Sequence, residues 1–144
     1  MVKPAEVRDL EVLANLAVLL WENHSAEDLL YEFSKIMSHG EAQFFMKYVK
    51  DVPVGFAQCQ LRHEYVEGTE TTPVGYLEGI FVKEGYRNQG YAKELLVACE
   101  AWAKRNGCLE FASDCEIHNV SSFRFHKAMH FIEANRIICF TKKL

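Results

Sequence analysis

The sequence predicts an α+β fold in one domain, and three features carry that prediction. The chain has 144 residues, 49% of them apolar and 25% charged, the length and balance of a single globular domain with a sizeable core. Branched and aromatic runs of strand character are interspersed with segments whose apolar residues recur at helical spacing. Their order, β-α-α-β-β-β-α-β-α-β, mixes the two element types and includes one parallel crossover around Tyr91–Arg105. No repeat, low-complexity stretch or linker divides residues 1–144.

A short strand around Val2–Val7 comes first. Leu10, Leu13, Leu16, Ala17 and Leu20 then share one helical face. Ser25, with Asp28 three residues later and then Leu29, Leu30 and Phe33, marks a capped second helix that Gly40 ends. Ala42–Val49 and Val54–Tyr65 flank Lys50-Asp51-Val52-Pro53 and predict a hairpin. The polar loop Glu67–Pro73 leads to the strand Gly75–Val82, apolar except for Glu78. The turn Gly85–Gly90 precedes a stripe of Tyr91, Leu95, Leu96, Cys99 and Trp102, a helix that Gly107 closes. Cys108–Ser113 follows as a strand, Ser121–Met129 as a short helix and Phe131–Phe140 as a final strand.

Composition excludes several classes. No apolar run reaches the ~18 residues that span a bilayer, and the start Met-Val-Lys-Pro-Ala-Glu lacks the pattern of a secretory signal. Five scattered cysteines, an odd number, predict reduced thiols and a cytoplasmic protein rather than a disulfide framework. A net charge of −4 argues against a nucleic-acid surface and is compatible with a cationic ligand. Cys108, Cys115 and His118, or His126 with His130, lack the paired spacing of a metal site, so no metal is expected.

The turn Arg87-Asn88-Gln89-Gly90-Tyr91-Ala92 lies between a strand and a helix. A helix start there presents unpaired N–H groups, and the helix dipole adds about half a positive charge. Gly90 lets backbone approach closely, Ala92 stays small and Arg87 adds a full charge. On the hexapeptide alone, an anion site and a plain glycine loop entering a helix are equal readings.

Context decides between them. The hexapeptide resembles the pyrophosphate motif of the GNAT acetyltransferases, Arg/Gln-x-x-Gly-x-Gly/Ala, and stands between the fourth strand and the long helix as in that family. Leu77-Glu78-Gly79-Ile80-Phe81-Val82 is similar to the family's cofactor strand. Asn119-x-x-Ser122-x-x-Phe125-His126-x-x-x-His130-Phe131 resembles its second half, Asn-x-x-Ala-x-x-Leu-Tyr-x-x-x-Gly-Phe. A dinucleotide-binding fold fits worse, because Gly-x-Gly-x-x-Gly is absent.

The resemblance implies a mixed, mostly antiparallel sheet flanked by helices, with acetyl-CoA as cosubstrate. It implies that the strand Ile80-Phe81-Val82 pairs with the pantetheine arm, that an N–H near Ile80 polarises the thioester, and that Asn119 bonds the arm. Gly79 fits a bulge or a close approach in that strand. Where the family often has a tyrosine that protonates the departing thiolate, this chain has His126, and His130 replaces a glycine. A histidine donates protons near neutral pH; read alone, His126 is equally a half-buried helix residue.

An amine acceptor must attack in its neutral form, so a carboxylate is needed to hold the cation and help remove a proton. Glu78 and Asp114 qualify because each interrupts or ends an apolar strand. Buried, each requires a partner. The segments Glu64–Ile80, Trp102-Ala103-Lys104 and Glu110-Phe111-Ala112-Ser113-Asp114 further resemble bacterial aminoglycoside 6′-N-acetyltransferases. That resemblance implies acceptor contacts from Trp21, Tyr65, Glu78 and Asp114. It also implies one from the start of the last strand, where Asn135 stands in place of a glutamate and Glu133 lies two residues earlier.

The expected function is therefore acetyl transfer to the 6′-amine of a cationic aminoglycoside, conferring antibiotic resistance. Another acceptor amine, such as a polyamine or a protein N-terminus, and a catalytically silent acyl-CoA-binding module are the alternatives. A homodimer is expected because Gln43–Tyr48 and Ile137–Phe140 offer more strand-forming surface than one small sheet needs.

Overall fold

The computed structural model describes residues 1–144. Five strands form one sheet in the order β1 (Val2–Pro4), β2 (Ala42–Val49), β3 (Val52–Arg62), β4 (Val74–Val82), β5 (Phe111–Ser113). Neighbours are antiparallel except β4 and β5, the parallel pair joined through the crossover helix α3 (Tyr91–Arg105). The remaining helices are α1 (Leu10–Ala17), α2 (Ala26–His39) and α4 (Val120–Ala128).

Local chemistry accounts for these boundaries. The Asp28 N–H donates to Ser25 Oγ at 3.0 Å, capping α2, and Gly40 ends that helix at φ 72°. Lys50 and Asp51 both adopt positive φ, 48° and 65°, which matches the twist of a two-residue hairpin between β2 and β3.

Strand alternation then builds two cores. Phe44, Met46 and Phe56 face α1 and α2, together with Leu13, Leu16 and Phe33. Phe45, Ala57, Cys59 and Leu77 face α3, where Leu95, Leu96, Cys99 and Trp102 cover them. The sheet is thus covered on both faces, and its free surfaces are its edges.

The expected final strand over Phe131–Phe140 does not form. The Phe131 N–H donates to the His126 carbonyl at 3.0 Å, and no later residue makes a backbone–backbone hydrogen bond. Branched and aromatic residues favour extended chain, but a strand exists only where a ladder partner satisfies it. Of the two segments expected to be in excess, Gln43–Tyr48 lies inside the sheet, between β1 and β3. Ile137–Phe140 alone stays uncovered.

Candidate active site

The site begins with an irregularity in β4. Its register with β3 runs from Val82↔Gly55 to Gly79↔Gln58 and resumes at Leu77↔Cys59, so Glu78 is an extra residue. A bulge of this kind bends the strand and re-aims a side chain. Because β5 pairs with β4 only over Gly75–Leu77, the far edge of β4 has no neighbouring strand from Glu78 to Val82. The Lys83 N–H donates to the Val54 carbonyl of β3 at 2.8 Å. Alternation along the strand then turns the backbone groups of Ile80 and Val82 to the open edge. The Val82 carbonyl accepts there from Arg87 Nε at 2.8 Å. Phe81 lies between them with its backbone turned to β3 and its ring 6.5 Å from that of Phe56.

At the end of this edge the chain turns through Arg87, Asn88 and Gln89, with Asn88 at φ 62° and Gly90 at φ 83°. Gly90 is the N-cap of α3 and no side chain caps the helix. The first helical bond runs from Glu94 N–H to the Gly90 carbonyl at 3.1 Å, so the amides of Tyr91, Ala92 and Lys93 have no protein partner. A Cβ on Gly90 would meet nothing within 4 Å. Backbone conformation rather than crowding therefore demands glycine there.

A residue missed by sequence reasoning fixes this turn. Lys47, buried in β2, bonds to the Glu94 carboxylate in the first turn of α3 and lies 4.4 Å from the centroid of Tyr91. The bond to Glu94 raises the Lys47 pKa above its ordinary value despite the opposing effect of burial. Its only signal in the sequence was a lone lysine within an apolar strand. The Tyr91 hydroxyl in turn donates to Gln89 Oε1 at 3.2 Å.

On the acceptor side, Glu78 and Asp114 are joined through two residues that the sequence did not single out. Arg62 donates to Glu78 Oε1 from Nη2 at 2.8 Å and from Nε at 3.1 Å. Its guanidinium lies 3.4 Å over the ring of Tyr76, and the Tyr76 hydroxyl donates to Asp114 Oδ2. Burial, and then the Asp114 carboxylate, raise the Tyr76 pKa well above its ordinary value, so the hydroxyl keeps its proton. Each carboxylate thus has the partner its position demands, although Asp114 proves solvent-exposed.

Trp21 packs directly on the bulge: a Cβ at Gly79 would lie 2.6 Å from its Cζ2. Its ring meets Phe33 and Phe56 edge-on, with centroids 6.2 and 5.7 Å away. Tyr65 is 80% exposed and donates to Glu67, whose other oxygen accepts from Asn135 Nδ2 at 3.3 Å. Val66, between them, packs with Val74 and Tyr76, which brings this loop to the acidic cluster.

His126, on α4, reaches the splay between β4 and β5. Nδ1 donates to the Ser122 carbonyl at 2.7 Å, and Nε2 lies 2.9 Å from Ser113 Oγ. In the neutral ring Nε2 therefore accepts from the Ser113 hydroxyl, and only the imidazolium donates in that direction. The Ser113 hydroxyl, which the sequence reading left unassigned, has one proton: when it donates to the Leu77 carbonyl at 3.2 Å, Oγ is left to accept from the imidazolium Nε2. Asn119 caps α4 by accepting from the Ser122 N–H at 3.1 Å, leaving its amide nitrogen unbonded. No group of three or more His, Cys, Asp or Glu is arranged to hold a metal ion. No helix is long and apolar enough to cross a membrane.

An open strand edge leading to an uncapped helix start, beside two held carboxylates, fits an elongated ligand with an anionic end and a cationic co-ligand. Comparison with known proteins agrees. Residues 10–131 match the model of the acetyltransferase (GNAT) family. The aminoglycoside N(6′)-acetyltransferase type 1 of Serratia marcescens is 39% identical over 137 residues, 94% of each chain. That of Acinetobacter haemolyticus is 36% identical over 143 residues, covering 99% of this chain and 98% of the relative. The structure of AAC(6′)-Iy in complex with the bisubstrate analogue CoA-S-monomethyl-acetylneamine superposes with a TM-score of 0.95 at 33% identity, over 100% of this chain and 98% of the other. The chain therefore belongs to the GNAT family of acetyltransferases.

Proposed function

We propose that this single-domain protein transfers the acetyl group of acetyl-CoA to the 6′-amine of an aminoglycoside, inside the cytoplasm and as a homodimer. The observation that carries the reading is near-full-length similarity to enzymes named for that reaction, together with the acidic pair beside the open edge of β4. Acetyl-CoA supplies the acyl group as a thioester. The amides after Gly90 and the free Nη groups of Arg87 hold its pyrophosphate, with Asn88 and Gln89 shaping the turn and Ala92 keeping the surface low. The backbone of Ile80 and Val82 takes the pantetheine arm as an added strand, and Asn119 bonds it through its free amide.

Glu78 Oε2 has no protein partner, so it is available to the reacting ammonium and helps to remove its proton, directly or through water. Asp114 grips a second ammonium, while Trp21 and Tyr65 cover apolar faces of the sugar rings and Asn135 lines the outer end. His126 as imidazolium, acting on the departing thiolate directly or by way of the Ser113 hydroxyl, returns the proton. Glu78→Gln and Asp114→Asn test the reading with kanamycin and acetyl-CoA. Each removes a charge-assisted contact, so kcat/KM falls about ten- to a hundredfold while acetyl-CoA affinity holds. Near-normal turnover in both variants removes them from the acceptor site.

A further inference from the structure

Of the buried residues only Lys47 carries a charge, at 6% exposure. It follows Phe45 by two residues in β2, so its side chain points to the same face of the sheet, towards α3. An ammonium in such a place is costly unless paired. Its partner, Glu94, is 48% exposed and would be solvated without it. Such a pair adds little to stability over an apolar side chain at position 47. Its position relative to the turn gives it another use.

Glu94 lies in the first turn of α3, three residues after Tyr91 and on the same helix face. Helical side chains lean back towards the N-terminus. Lys47 Nζ, bonded to Glu94, lies 4.4 Å from the centroid of Tyr91. The carboxylate is therefore beside the residue whose amide is the first of the three left without a protein partner. A carboxylate there draws on the same positive field that a bound phosphate uses, and it repels the phosphate's charge.

Lys47 cancels that charge from beneath. Its bond to Glu94 raises its pKa, so the ammonium stays charged near neutral pH. No other cation forms an ion pair with Glu94, and the exposed Met1 ammonium donates to the Tyr48 carbonyl instead, at 3.0 Å. Register sets Lys47 against Gly55 and Gly55 against Val82, at the end of β4 away from Glu78. An effect of Lys47 is thus confined to the pyrophosphate end.

We propose that Lys47 is a positioning residue for the cosubstrate: by holding and neutralising Glu94, it keeps the amides of Tyr91, Ala92 and Lys93 free of a competing carboxylate and so sets the affinity for the pyrophosphate. This rests on the acetyl-CoA reading above and names a residue that tunes it.

Lys47→Met keeps the length of the side chain and removes its charge. Calorimetry at low salt is expected to show acetyl-CoA bound about three- to tenfold more weakly, the scale of one like charge at a helix start. That loss shrinks as salt rises, and kcat at saturating acetyl-CoA holds. Adding Glu94→Gln is expected to return the affinity to about the wild-type value, because no charge remains to be neutralised. Wild-type affinity in Lys47→Met overturns the proposal. A double variant as weak as Lys47→Met also overturns it, leaving Lys47 a packing role alone. So does an equal loss of kcat/KM with S-acetylpantetheine, which lacks the pyrophosphate. If Lys47→Met does not fold, Glu94→Gln decides alone. It leaves the Lys47 charge unopposed, so binding at least as tight as wild type is expected and weaker binding overturns the proposal. A wild-type protein that binds no acetyl-CoA overturns the cosubstrate reading, and this inference with it.

Discussion

Arg62 donates two hydrogen bonds to a single oxygen of Glu78, from Nη2 at 2.8 Å and Nε at 3.1 Å, leaving Oε2 without a protein partner. The guanidinium carbon lies 3.4 Å from the centroid of Tyr76, so the fork is held in place and sets the direction of the carboxylate. A point charge in its place holds Glu78 without orienting it. Arg62→Lys is therefore expected to retain folding and acetyl-CoA affinity but to lose about tenfold in kcat/KM for an aminoglycoside, on the scale of one oriented hydrogen bond. Steady-state kinetics check this. Wild-type kcat/KM in Arg62→Lys contradicts an orienting role.

Gly79 and Trp21 form the second constraint. Gly79→Ala places a methyl group 2.6 Å from Cζ2 of Trp21 and 2.8 Å from its Cη2, closer than packed carbons tolerate. The expected loss is about 1–3 kcal/mol of stability, with weaker aminoglycoside binding as the ring moves. Adding Trp21→Leu to Gly79→Ala is expected to return part of that stability, because the smaller side chain vacates the overlap. Denaturant midpoints of the single and double variants decide it, and strictly additive losses contradict the contact.

Glu110 holds the loop before β4. Its carboxylate accepts from the amides of Glu70 at 2.9 Å and Thr71 at 2.8 Å and from the Thr71 hydroxyl. The Thr71 hydroxyl first, then these amides, lower its pKa below the ordinary 4.5. A folded pKa lowered in this way means stabilisation that is present above the unfolded pKa and is lost as pH falls through the folded one. The Glu70 and Thr71 amide resonances are expected to hold steady near neutrality and to shift together below about pH 4.5. In Glu110→Gln that acid transition disappears. Its persistence in the variant assigns it to another group.

Much of this arrangement was legible in the sequence because it depends on local chemistry. The Ser25 cap, the Gly40 stop and the Gly90 turn each follow from what one residue type does to nearby backbone. Glu78 stood out as an acid in an apolar strand. Gly79 beside it signalled a bulge or a close approach, but that Glu78 is the extra residue was not legible, because register depends on β3 as well as on β4. Arg62 ends its strand and reads as an ordinary edge charge until folding stacks it on Tyr76. Ser113 gains meaning only when α4 brings His126 to it. The strand-forming residues of Phe131–Phe140 were visible, but composition names a conformation and not the strand that must pair with it.

The most direct measurement of the central claim is the position of the acetyl group on the product. Kanamycin and tobramycin, which carry a 6′-amine, are expected to be acetylated on that nitrogen, as read by mass spectrometry and NMR. An analogue with a 6′-hydroxyl keeps its other ammonium groups for Asp114 and its neighbours but lacks the reacting nitrogen. It is expected to bind competitively and to turn over poorly. This outcome separates one amine placed beside Glu78 from general attraction of polycations to an acidic protein. Acetylation mainly at another nitrogen, or equal turnover of the 6′-hydroxyl analogue, would contradict the account.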